Sequence, residues 1–433
     1  MFERRSFMRM RPLAAFRGWF RRRFTPAGWL VLLAVVFSAG FGIDMNLTVA
    51  YQAFALLLSL LLVSMAWGWS SHQEFTARRV LPRFGTVGTP LPYRVAVRSG
   101  TGRMEGDLSL WEKVADTPEA LAGYEGLPQW DWPRGRRIVA DVPELALPDL
   151  PPGEEVEASH TLLPRQRGVL HFTGMILVWP DPLGLFRSMT EIPSPQSVLI
   201  LPRRYPVPRF DLPGRMKYQH GGVALASSVG ESVEFVAMRD YRPGDPLRHI
   251  HWHGWAKTGR PIVKEFQDEF FVRHALVLDT FTNEEECEVF EEAVSVAASF
   301  ACTIPDQDSL LDLMFVGPQA VCFTAGRGLA YPEQLLEILA SVRPSRAVEI
   351  AALEQLVFRH AASLSGCICV LLAWDERRQQ FVQQLKSLGL PLMVLVVTPR
   401  GDGRELDPGP MADAPANLHR LQVGRAAEGL AVL

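Results

Sequence analysis

Residues 366–397 read GCICVLLAWDERRQQFVQQLKSLGLPLMVLVV. CICVLLA (367–373) is apolar at every position and LPLMVLVV (390–397) nearly so. Such strands hide both faces, which is the habit of a parallel sheet covered on both sides. Between them Arg377 to Leu388 reads as the crossover helix. Working outward, HALVLD (274–279), SLLDLMFVG (309–317) and AVCFTAG (320–326) read as further strands, and Glu284–Cys302, Pro332–Val342 and Val348–Ala362 as helices. Thr282 and Glu285 have capping-box spacing at the start of the first helix. Alternation of this kind predicts a doubly wound α/β domain over 271–398, with a Gly-, Pro- and Asp-rich tail, 399–433, expected to be flexible.

Upstream the period changes to two. YRVAVRS, GDLSLWEKV, EEVEASHTLL, GVLHFTGMILVW and SVLILP alternate between turn residues, predicting a β-sandwich-like domain over 74–210. Residues 116–152 interrupt it with Pro118, Pro128, Pro133, Pro143, Pro148, Pro151 and Pro152, and read as an inserted loop.

The start of the chain reads as a membrane anchor. Residues 1–26 are basic; 27–43 and 47–69 are uncharged apolar runs separated by Asp44, Met45 and Asn46. Two spans with so short a tip form an antiparallel hairpin. Eight Arg precede it and Arg78, Arg79 and Arg83 follow it, so the positive-inside rule places both outer ends in the cytoplasm. Trp19, Trp29, Trp67 and Trp69 suit interfacial belts. A cleaved signal peptide would have a shorter apolar region and no second span.

The 433 residues fit two or three domains. The first 23 hold eight Arg and one Glu, a net +7, so the remainder of a chain with net charge −3 sums to −10. An acidic remainder argues against a nucleic-acid partner. Cys287, Cys302, Cys322, Cys367 and Cys369 form no C-x-x-C pair and read as reduced, buried thiols.

Residues 225–270 contain EFVAMRDYRPGDPLRHIHWHGWAKTGRPIVKEF. This run resembles the signature of the bacterial family called domain of unknown function fifty-eight. QRGVLHFTG (166–174) and DPLGLF (181–186) resemble its β domain, and the order hairpin, β domain, signature, α/β domain is the family architecture. The resemblance implies a von Willebrand factor A-like α/β domain and an inner-membrane protein that works with a MoxR-type AAA+ ATPase to assemble or activate a client protein. Read from the residues alone, Arg239, Asp240, Tyr241, Gly244, Asp245, Arg248 and Trp252 form a signature network. Its charges pin a Pro243-Gly244 turn, with Trp252 and Trp255 as apolar anchorage. The network is either an ion-paired clasp between domains or a docking element.

His249, His251 and His253 would share one face of an extended strand, but spaced too widely for one metal ion. Asp279 and Asp375 close two strands of the α/β domain, where such sheets bind ligands. The von Willebrand A family implies Mg²⁺ there, held by an Asp-x-Ser-x-Ser loop, a Thr and a second Asp. Here Phe281 replaces the first serine and Asn283 the second, with Ser345 as a counterpart of the Thr. The candidate metal set is therefore degenerate, Asp279, Asn283 and Asp375, and any Mg²⁺ is expected to bind weakly. No G-x-S-x-G, P-loop, H-E-x-x-H or G-x-G-x-x-G motif is present, so the expectation is a non-catalytic interaction or assembly factor. The alternative is a membrane-bound hydrolase or metalloenzyme using the histidines and acids. The expected partner-binding edge is Asp279, Phe281, Thr282, Asn283, Trp374 and Asp375.

Overall fold

The computed structural model describes residues 23–41, 48–70, 74–100, 104, 106–115, 140–208, 217–218, 235–243, 247, 250–266, 270–284, 287–303, 309–326, 332–345, 350–402 and 406–433. The chain divides into two compact units, Met1–Ile200 and Leu201–Leu433.

The first unit opens with two apolar helices, α1 (Pro26–Phe41) and α2 (Thr48–Ser70). One window, Tyr51–Gly68, is long and apolar enough to cross a membrane, whereas Pro26–Gly40 is a shorter apolar helix. They pack through Val35 and Leu61 and leave Leu30, Leu33, Val36, Phe37, Leu62 and Val63 exposed.

The strands that follow are β1 (Phe75–Val80), β2 (Phe84–Thr86), β3 (Leu91–Ser99), β4 (Ser109–Val114), β5 (Ala140–Asp141), β6 (Leu145–Ala146), β7 (Glu155–Pro164), β8 (Gly168–Pro180) and β9 (Arg187–Leu201). They pair antiparallel into sheets β1-β3-β7-β5 and β2-β9-β8-β4-β6. Val95 and Val97 of one sheet and Leu110, Leu170, Phe172 and Leu177 of the other share one core. This is the sandwich that period-two alternation predicts. The inserted loop is shorter than expected, because β5 and β6 of the 116–152 stretch join the two sheets and bury Leu147 and Leu150. Pro143 and Pro148 flank β6, and Leu147 and Leu150 beyond it are buried. Residues 116–139 lie outside the described residues.

The turn DPLGLF explains how the helices meet the sandwich. Asp181 Oδ1 accepts from Leu185 N and Phe186 N, both at 2.7 Å, and shapes the turn. Thr25 caps α1, accepting from Gly28 N at 3.0 Å, and donates its hydroxyl to Gly184 O at 2.6 Å. A Cβ on Gly28 would lie 2.0 Å from Leu185 O, and one on Gly68 would lie 2.7 Å from Phe186. The start of α1 and the end of α2 therefore converge on one turn, so the helices run antiparallel.

The second unit begins with β10 (Lys217–Tyr218) and a two-stranded antiparallel ribbon, β11 (Phe235–Asp240) with β12 (Ile262–Phe266), which brackets the short helix α3 (Trp252–Thr258). Then follow β13 (Phe270–Leu278), α4 (Glu288–Thr303), β14 (Ser309–Val316), β15 (Ala320–Ala325), α5 (Pro332–Ser341), α6 (Ala351–His360), β16 (Gly366–Leu371), α7 (Glu376–Ser387), β17 (Leu392–Thr398), β18 (Leu418–Gln422) and α8 (Ala426–Leu430). The sheet order is β15-β14-β13-β16-β17-β18, parallel along this path except for the β14–β15 hairpin, and the short β10 pairs antiparallel with β13 off it. Ala275, Val277, Cys367 and Cys369 pack with α6 and α7 residues such as Leu353, Val357, Phe381 and Leu385. The alternate residues Leu276, Leu278, Ile368 and Val370 are equally buried on the other face, where α4 lies against β13 and β16. The doubly wound expectation therefore holds, strand by strand.

The tail does not. Residues 406–433 are built into the domain: β18 extends the sheet in parallel beyond β17, and Met411, Leu421, Val423, Ala426 and Leu430 are buried. Those five apolar side chains are dispersed among Gly, Pro and Asp, which masks their periodicity, yet together they cover an edge that β17 would otherwise expose.

Candidate functional site

The chain leaves β13 toward β14 on one flank and β16 toward β17 on the other, so the connections diverge between β13 and β16. In a doubly wound sheet this reversal opens a crevice beyond the carboxyl ends of the strands. Asp279 directly follows β13, and Asp375 is the N-cap of α7 after β16, so both predicted acids reach the crevice.

Asp279 is fully buried. Its Oδ1 accepts from Phe281 N at 3.0 Å and its Oδ2 from Leu372 N at 3.0 Å. The same Oδ2 accepts from Arg378 Nε at 2.6 Å. Asp375 accepts from Arg378 twice, Oδ1 from the backbone N at 3.0 Å and Oδ2 from Nη1 at 2.5 Å. Arg378 Nη2 completes the set by donating to Phe281 O at 3.1 Å. Burial works against the guanidinium's charge, but Asp279 and Asp375 outweigh it and hold its pKa above the ordinary value. One arginine thus ties both acids and the β13 loop together. Nearby, Thr280 donates to Val316 O at 2.5 Å and Ser345 N to Thr280 O at 2.7 Å, and Phe281 forms a parallel bridge with Ser345.

These residues do not fit a divalent cation. Both Asp279 oxygens already accept hydrogen bonds, the space between the acids holds a guanidinium, and Phe281 offers no side-chain oxygen. Asn283, the third candidate ligand, is exposed.

The predicted partner edge is assembled, but with a different character. Phe281 and Trp374 are half-buried against the α/β core, and Trp374 Nε1 donates to Asp407 O at 2.6 Å. The freely standing aromatic anchor expected at Trp374 is therefore committed to the C-terminal segment. Thr282 is half-buried and accepts from Glu284 N at 3.3 Å, leaving Asn283 and Asp375 as the exposed members. Arg378 was not among the predicted residues. It lies 99 positions from Asp279 on a helix dense in polar residues, where an arginine reads as surface charge; its spacing of three from the N-cap Asp375 was the available signal.

The signature segment belongs to the second unit. Gly244, Asp245, Arg248 and His249 lie outside the described residues. Of the rest, Arg239 donates to Asp240 O at 3.3 Å, Asp240 is exposed, and Tyr241 N donates to Pro261 O at 2.9 Å. Trp252 is 63% exposed and stacks on Trp255, ring centroids 5.5 Å apart, so these indoles are surface groups and not buried anchorage. His251 and His253 do not share a strand. His251 caps α3, its Nδ1 accepting from Gly254 N at 3.0 Å, and His253 lies on the helix. The alternation that imitates a strand comes from a short helix following a bridge at Ile250. Among the described residues no group of three or more His, Cys, Asp or Glu is placed to hold a metal.

Fold and site together define a mainly parallel, doubly wound α/β domain whose switch-point acids are neutralised by an arginine of the same chain. The family described as "Protein of unknown function DUF58" matches residues 237–397, from β11 to β17, and through this region the chain is similar to that family. It is 26% identical over 184 residues to "Uncharacterized protein YeaD" of Bacillus subtilis (strain 168), covering 42% of this chain and 44% of that one. The match thus spans less than half of that relative's length. Among solved structures, the CARDB domain of PF1109 from Pyrococcus furiosus covers 30% of this chain and 96% of its own at 12% identity and TM-score 0.17. A β-glucosidase from Listeria innocua covers 31% and 17% at 12% identity and TM-score 0.16. Likeness at these scores carries no argument about this chain.

Proposed function

We propose that this is a membrane-tethered, non-catalytic interaction or assembly factor of the bacterial inner membrane. Its soluble units lie in the cytoplasm, and its α/β domain is von Willebrand factor A-like. It recognises a partner protein at the β13/β16 edge and works with a MoxR-like AAA+ ATPase on a client. The observation that carries the reading is the Asp279–Arg378–Asp375 cluster. Its polar groups bond one another and fix two loops, leaving Asn283 and half-exposed Asp375 facing outward at the place where such sheets receive ligands. Strand order with an antiparallel strand at one edge and an acid after the first strand supports the A-like assignment. Two apolar helices whose outer ends meet at one turn, preceded by eight Arg, support a two-span hairpin with cytoplasmic ends.

A photo-crosslinking amino acid at Asn283 should capture a protein partner in cells, and one at Leu388, exposed before β17 at the opposite edge, should not. Capture only at Leu388, or at neither, overturns the site. A reporter enzyme that works only outside the cytoplasm, fused after Leu433, should stay silent; activity there overturns the topology.

A further inference from the structure

Helix α3 is seven residues long, WHGWAKT, and buries none of them. It stands on β12 through His251 N, which donates to Ile262 O at 2.8 Å, while Ile250 and Val263 beneath it are buried. Gly254 is required by the close approach, since a Cβ there would lie 2.6 Å from His251 Nδ1, and Gly259 ends the helix at φ +72°. The backbone is thus held firmly while the large side chains point away. Trp252 and Trp255 stack with an interplanar angle of 20°, and the same ribbon exposes Met238 and Leu247.

The surrounding charge is the second observation. Residues 235–266 hold six Lys or Arg against three Asp or Glu, a net +3 in a chain whose net charge is −3. Lys257 and Arg260, close in sequence to the indoles, and Arg242 are exposed, and among the described residues of this segment Asp240 is the exposed acid. A stable protein interface buries about 800 Å² per partner, drawn from some 20–30 residues. Among the described residues of this ribbon the exposed large apolar side chains are four, Met238, Leu247, Trp252 and Trp255. Indoles beside cations, on a short helix with no acid in its sequence, are instead suited to the headgroup layer of a bilayer, where the ring is half solvated and the cations meet anionic lipid.

We propose that the Trp252–Trp255 face of α3 docks on an anionic lipid surface. This rests on the membrane-tether reading, because a hairpin keeps the α/β unit at a bilayer and makes the second contact intramolecular, so a small surface suffices. Docking in this way sets how the soluble part stands above the membrane and adds a salt-sensitive contact to the hairpin.

The test uses the full chain with a photo-crosslinking amino acid replacing Trp252, or Leu388 as a control. It is reconstituted in nanodiscs of phosphatidylcholine alone or mixed with phosphatidylglycerol. Lipid adducts are expected at 252, in the mixed discs, and not at 388. Lys257→Ala with Arg260→Ala should lower the adduct yield by about an order of magnitude, and raised salt should do likewise. Adducts at 252 that are equal in both lipids, or protein adducts in cells in place of lipid, overturn the proposal. Carbonate extraction of the same chain reads the tether separately. A chain that resists extraction yet gives no lipid adduct at 252 refutes the docking alone, and a chain released by carbonate refutes the tether.

Discussion

Arg378 Nε lies 2.6 Å from Asp279 Oδ2, joining the first turn of α7 to the end of β13, and the two side chains are 11% and 0% exposed. Removing the arginine leaves a buried carboxylate without its counter-charge. Arg378→Ala should cost about 3–5 kcal/mol by urea unfolding. The same variant should acquire stabilisation by added Mg²⁺ that wild type lacks, because Asp279 and Asp375 then face an empty space. A variant that melts like wild type would show that the pair contributes nothing net.

The sandwich has its own buried ion pair. Arg79 bonds bidentately to Glu112 and lies 4.3 Å over the Phe172 ring, and Tyr93 donates to Glu112 at 3.0 Å. Glu112→Gln should cost about 3–5 kcal/mol, and Arg79→Met with Glu112→Leu should recover most of it. By contrast Glu191→Ala, which breaks the half-exposed Lys113 pair, should change stability by about 1 kcal/mol or less. Equal losses from Glu112→Gln and Glu191→Ala would contradict this ranking.

Burial pushes the His274 imidazole down from 6.5 to about 4. Between those values the unfolded chain takes up a proton that the folded one refuses. The contribution is therefore fully present above pH 6.5, declines as pH falls toward 4, and reaches about 3 kcal/mol. His160, His171 and His419 are lowered by burial as well and act in the same direction. Chemical denaturation across this window should show a shallower slope for His274→Leu than for wild type; identical slopes would assign the acid sensitivity elsewhere.

Leu421 on β18 is fully buried, whereas Val432 is 83% exposed. Leu421→Ala should cost about 2–5 kcal/mol, with Val432→Ala within about 0.5 kcal/mol of wild type. Truncation after Thr398 should expose the β17 edge and cause aggregation, measured by light scattering. A soluble truncated chain with wild-type melting would return the tail to the flexible class.

Gly28→Val should destabilise the first unit by about 1–3 kcal/mol, since the new side chain enters the Leu185 carbonyl. Gly40→Val, where no atom lies within 4 Å, is the matched control. Similar thermal melts in detergent for the two variants would show that the DPLGLF turn does not hold the helix.

Sequence periodicity exposed the parts of this fold that rest on burial. The all-apolar runs at 367–371 and 392–397, and the nearly apolar ones at 274–278 and 310–316, read as buried strands, and the structure places strands there. Asp279 and Asp375 followed from the ends of those runs. Arg378 did not, because a charge on a helix carries no mark of what it faces across 99 residues of chain. Nor did β18, whose five residues, Leu418–Gln422, alternate too briefly to stand out. The signature misled in a different way. His251, Trp252 and His253 alternate as in a strand, while the turn is decided by a cap and two glycines, contacts that pattern reading does not weigh.

An ion can depart from between two carboxylates without moving the backbone; Arg378 cannot. It is carried by α7, whose Phe381, Val382 and Leu385 are fully buried in the sheet's core. A ligand that prises Asp375 or the Phe281 carbonyl off the guanidinium must therefore displace a side chain whose root is fixed in a packed helix. Close-packed cores resist gradual deformation and favour discrete arrangements. The loop edge thus carries its counter-charge on a helix fixed in the core, so that the charge stays with the fold whatever ions the solution holds.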